Sequence, residues 1–228
     1  MEPPTAAADP EPEISYAIRR SQRARRVRVT VDAERGVEVV LPARAADRDA
    51  AAAVRELRPW IARRQSEIER QRAAVRARGD TLPYLGAALR VVEQPRRRRV
   101  NRRADVLLVP AGAARQPALE GWYRRAARAE VAARLDRACL QVGVSYTGLS
   151  IRGQRTRWAS CSRSGAMSFN WRLLLAPEAV LDYVVWHEVC HLEVADHSPR
   201  FWALLAERCP GYREQVAWLR RNGATLVL

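Results

Sequence analysis

No stretch of about 18 apolar residues occurs anywhere in the 228-residue sequence, which excludes a membrane-spanning helix. No two of the four cysteines, Cys139, Cys161, Cys190 and Cys209, stand at CxxC spacing. That excludes a sequence-local zinc ribbon and a dense disulfide framework, and it leaves reduced, mostly buried thiols. There is no lysine: all 40 Lys-plus-Arg positions are arginine, against 25 acids, for a formal net charge of +15. With the heavy use of alanine, this reads as a compositional bias more than a selected feature. Aromatic residues do not interleave the densest arginine runs, Arg19 to Arg28 and Arg96 to Arg103, so a base-stacking platform is not indicated. The runs read as solvated strand faces and a turn, able to attract nucleic acid weakly through phosphate contacts. Residues 1–13, rich in proline and acids, read as a disordered tail and not as a secretory signal, so the cytoplasm is the expected compartment.

Hydropathy patterning is more informative. Ile14-Tyr16-Ile18, Val27-Val29-Val31 and Val37-Val39-Leu41 alternate with polar residues and predict short antiparallel strands. Residues 46–77, with Val54, Leu57, Ile61 and Ile68 at helical spacing, predict one long amphipathic helix. A second β segment runs from about Tyr84 to Val109, and Pro110 to Pro117 is the best linker candidate. The second half predicts a helix over 119–142, strands over 144–152 and 166–174, and a helix from Pro177 to about Glu193. Two further helices follow, one opened by Ser198-Pro199 and one from Gly211 to Asn222. The expected class is α+β: a tail (1–13), an N-terminal antiparallel β-rich subdomain with a long helix (14–112) and a C-terminal domain of helices and strands (113–228).

Histidine is the scarcest chemically active residue, and its placement is the strongest signal. All three histidines fall in HEVCHLEVADH, residues 187–197. His187 and His191, at i and i+4 on the predicted helix, present their imidazoles on one face, close enough to share a metal. Glu188 is then placed to activate water as a base. A catalytic zinc needs a third ligand, for which His197, just beyond the helix, is the candidate and Glu193 the rival. The spacing occurs in metzincins, but those carry a glycine where Val194 stands and a methionine downstream, whereas Met1 and Met167 both lie upstream. Cys190 faces away from the pair and reads as core.

The segment RTRWASCSRSGAMSFNWRLLLAPEAVLDYVVWHEVCHLEVADHSPRFW resembles the signature of the YgjP-like metallopeptidase family, zincins related to SprT and WLM domains. The upstream strands, Arg58-Pro59-Trp60-Ile61 and Tyr84-Leu85-Gly86 are similar to that family's N-terminal region, so the likeness extends from about residue 14. It implies a zincin-like domain with Zn2+ on His187, His191 and His197 and with Glu188 as catalyst. Ala159 stands where the family usually has glycine, and Val189-Cys190 replaces Leu-Ala; these small-for-small changes leave the metal site intact. For peptide docking on a free strand edge, Arg157 to Cys161 and Ser168 to Arg172 are the candidates, with Asn170 and Arg172 on the polar face. Tyr183, Arg172 and Arg200 are candidate oxyanion donors, and Trp158 and Trp202 read as packing residues. The expected substrate is a peptide or protein. The alternatives are a nucleoside triphosphate attacked at its phosphoanhydride, and a basic nucleic-acid-binding module.

Overall fold

The computed structural model describes residues 14–154 and 156–228; the tail expected over 1–13 lies outside them. The chain divides into two compact units, Met1–Ala73 and Ala74–Leu228.

In the first unit, β1 (Tyr16–Ser21), β2 (Arg28–Asp32) and β3 (Gly36–Pro42) form a sheet of order β1-β3-β2. β2 and β3 make a hairpin, but β1 runs parallel to β3, with Tyr16 opposite Val37 and Ser21 opposite Pro42. The antiparallel arrangement expected for β1 is therefore corrected. Alternation reveals which face of a strand is buried and nothing about the direction of its partner. Val29, Val37, Val39 and Leu41 cover a core closed by Ala50, Val54 and Ile61. The expected single helix is two, α1 (Asp47–Glu56) and α2 (Arg58–Arg76). Pro59 offers no N–H for the ladder, so the first helix stops at Leu57 and the next resumes with Ile61 N–H donating to the Leu57 carbonyl at 2.9 Å. Part of the first arginine run is used inside this unit: Arg19 pairs with Glu38 at 3.0 Å and Arg20 with Asp47 at 2.6 Å.

The second unit opens with β4 (Thr81–Tyr84), β5 (Ala87–Gln94), β6 (Asn101–Arg103) and β7 (Val106–Pro110), in a mixed sheet of order β4-β5-β7-β6. Residues 74–112, grouped by sequence with the N-terminal part, share the core of this unit: Leu82, Leu89, Leu107 and Val109 pack in one cluster with the helices that follow. The turn Leu85-Gly86 has both residues at positive φ (50° and 90°), the geometry of a two-residue hairpin loop. The Leu85 N–H donates to the Leu174 carbonyl at 2.8 Å, which ties this turn to the segment that leads into the metal-site helix.

α3 (Arg115–Val142) is the spine. Leu119, Tyr123, Ala127, Val131, Leu135 and Ala138 recur every three to four residues and are all buried. The helix ends on Gly143 in the left-handed conformation, as a C-terminal glycine allows. β8 (Gly148–Arg152), β9 (Ala159–Cys161) and β10 (Ala166–Asn170) form the third sheet, of order β8-β10-β9, with β8 parallel and β9 antiparallel to β10. The strand expected to continue to Leu174 gives way after Asn170 to a 3-10 turn, Trp171–Leu175, because the Asn170 side chain accepts from Arg172 N–H at 3.1 Å and caps it. α4 (Glu178–Cys190), α5 (Pro199–Arg208) and α6 (Tyr212–Asn222) complete the α+β unit. Arg134 on α3 holds the start of α4 through Glu178 and Asp182 while also pairing with Glu130; its side chain is only 10% exposed.

Candidate metal centre

α4 buries Val180, Leu181, Val184, Val185 and Val189, and it packs against α3, α5, α6 and β9. A helix so fixed leaves its last turn little freedom. His187 lies in that turn, and His191 is the residue that caps it. The chain then reverses without a glycine. Leu192 N–H donates to Val189 O, and both Glu193 and Val194 N–H groups donate to Cys190 O, at 2.9–3.1 Å, while the Val194 side chain is anchored in the core. This return carries His197 back to α4. Asp196 accepts from Ser198 N–H at 3.2 Å and starts α5 immediately afterwards.

The ring nitrogens of His187, His191 and His197 lie within 4.8 Å of one another, a group able to hold a metal ion. The Nε2 atoms of His187 and His197 are 3.0 Å apart. His191 Nδ1 faces the Val194 carbonyl at 3.1 Å, so Nδ1–H donates there and Nε2 is left as the lone-pair donor. Burial, reinforced by the two neighbouring imidazoles, pushes His187 down to about 4, and burial also lowers His191. Both are therefore neutral at pH 7, which is the ligating form. Phe201 is fully buried beneath the three rings, with centroids 4.9, 4.5 and 4.8 Å from those of His187, His191 and His197.

Glu188 is 4% exposed. Burial raises its carboxyl to about 8, against the opposing pull of the Cys161 backbone N–H and the Arg157 charge. Its Oε2 is buried with no hydrogen-bond partner among the described residues. A dication among the imidazoles would draw the proton off, since the ion is the largest local charge. Glu193, the rival ligand, is outside the group: it pairs with Arg208. Cys190 is fully buried, as expected of core.

Long-range pairing sorts the remaining candidates. β10 is the central strand of its sheet, so Ser168 to Asn170 present no free edge, whereas β9 is an edge strand lying beside α4. Asn170 is buried and donates to the Gln154 carbonyl at 2.7 Å, which holds the loop leading to Arg157 and β9. Arg172 lies over the Trp171 ring at 4.6 Å. Arg200 is exposed on α5. Tyr183 is buried, with its ring 5.9 Å from that of His187, and burial, reinforced by the Glu188 charge, raises its pKa. The arginine that does act on Glu188 is Arg157, which the sequence marks only as the start of a candidate docking stretch; its distance from α4 in the sequence gives no signal of this charge contact.

A family model of the YgjP-like metallopeptidase domain matches residues 25–222. The chain belongs to this family. YgjP-like chains are metal-dependent hydrolases, and the three converging histidines form a group that could hold a metal ion. Among solved structures, the metallopeptidase zymogen of Pyrococcus abyssi abylysin aligns at 25% identity, covering 40% of this YgjP-like chain and 97% of that chain, with a TM-score of 0.35. No curated protein matches. Among the described residues no helix is long and apolar enough to cross a membrane.

Proposed function

We propose that the chain is a zinc-dependent peptidase in which His187, His191 and His197 hold the metal and Glu188 is the catalytic base. The observation that carries the reading is the buried, unpartnered oxygen of Glu188, one residue from a candidate ligand and beside an edge strand. Three neutral imidazoles suit zinc, and the 3.0 Å between two of their donors is close to the roughly 3.3 Å edge of a tetrahedron built on 2.0–2.1 Å Zn–N bonds. Zinc bound there supplies Lewis acidity to a scissile carbonyl and to water. Glu188 takes the proton of the attacking water and passes it to the leaving nitrogen. β9 offers backbone groups on its outer edge to an extended peptide, aligning the scissile bond over α4. Of the candidate oxyanion donors we favour Tyr183, whose ring is 5.9 Å from that of His187, while Arg172 is stacked on Trp171 and Arg200 is exposed.

The test is Glu188→Gln. It should keep its zinc and its fold and lose cleavage of unfolded protein by several orders of magnitude, as removal of a base from an otherwise intact centre does. Wild-type-like turnover by this variant, or turnover of nucleotides in place of peptides, overturns the reading.

A further inference from the structure

Trp202 of α5 and Tyr212, Arg213, Val216, Ala217 and Arg220 of α6 line an open cleft of about 330 Å3. Trp202 and Tyr212 stack, with centroids 5.8 Å apart and planes inclined by 22°. The Trp202 ring also lies 5.6 Å from the ring of His197 and 6.2 Å from that of His187. The cleft therefore begins one indole away from the metal-binding imidazoles, within reach of a side chain neighbouring a bond held over them, given a rise of about 3.3 Å per extended residue. The two aromatic rings with Val216 and Ala217 make its lining apolar, while Arg213 and Arg220 add charge. Arg213 donates to the Tyr212 hydroxyl at 3.2 Å, with its guanidinium above that ring. Neither arginine has a carboxylate partner among the described residues, in contrast to Arg134 and Arg208, which are paired with acids.

An apolar, aromatic-walled cleft carrying two uncompensated guanidinium groups is complementary to a ligand with a flat apolar body and an adjoining carboxylate. We propose that this cleft is a specificity subsite that seats an aromatic side chain of a peptide substrate while Arg213 and Arg220 bind an acidic residue next to it. The proposal rests on the peptidase reading of the metal centre.

Two sets of short capped peptides test it, one with a Phe-Glu pair and the other with a Phe-Gln pair walked through a Ser/Gly background. Binding is measured calorimetrically on zinc-loaded Glu188→Gln protein, and cleavage is measured on the wild type. The best Phe-Glu peptide should bind roughly tenfold more tightly than its Phe-Gln twin. Arg213→Gln/Arg220→Gln should erase that preference, and Ala217→Trp, which fills the cleft, should weaken both peptides, with zinc content unchanged in each variant. Equal binding of the twins, or a preference that survives the double arginine change, overturns the subsite. Preferential binding without any cleavage by the wild type upholds the subsite and overturns the peptidase reading; cleavage without preference does the reverse.

Discussion

His197 and Glu193 sit four residues apart after α4, yet only one of them turns toward His187. His197→Ala should reduce bound metal from about one ion per chain to well below that, because two imidazoles make a far weaker site than three. Glu193→Ala should leave metal content unchanged, because that carboxylate is occupied by Arg208. Elemental analysis of both variants after dialysis decides the matter, and retention of metal by His197→Ala with loss in Glu193→Ala would reverse the assignment. At this scale the sequence was generous. Confinement of every histidine to residues 187–197 exposed the triad and its acid without any knowledge of the fold. Phe201 and Arg157 were hidden for the same reason. Their relation to the imidazoles and to Glu188 exists only after the return through Val194 and the placement of β9 beside α4.

The start of helix α4 is pinned by one side chain from another element. Arg134 meets Glu130, Glu178 and Asp182 from a pocket in which it is itself 10% exposed, while those acids are 32%, 63% and 46% exposed. Arg134→Met should destabilise the second unit by about 1–3 kcal/mol, a buried-pair effect discounted because the carboxylates reach water. Denaturant unfolding monitored by tryptophan fluorescence checks this, and an unchanged midpoint would show that packing of α3 on α4 suffices alone. Element identities were mostly legible from periodicity, including the long helix α3 and the Pro-marked start of α5. Pairing was not. Whether β9 or β10 offers a free edge depends on which strand lies in the middle, and no local pattern encodes that.

Among the described residues two hydrophobic cores form, one around Val39 and Ile61 and one around Tyr123, Trp171 and Phe201. Calorimetry should then show two transitions, with all metal dependence in the second unit. At a free metal concentration near 100 times Kd, linkage adds about 2.7 kcal/mol, enough to raise that transition by roughly 5–10 °C. Chelation should bring it back and leave the other transition in place; a single transition that moves as one would contradict independent units. All three sheets share a further property. In each, a strand is followed by a hairpin whose second arm inserts between the other two, giving the orders β1-β3-β2, β5-β7-β6 and β8-β10-β9. The strand that completes each sheet is thus always the last of its three to be synthesised. β8 and β9 have no strand to pair with in this sheet until β10 has been made, and the histidines follow later still. A nascent chain can therefore complete its third sheet before the last of the three histidines has been made, so their convergence is built onto β-structure already in place.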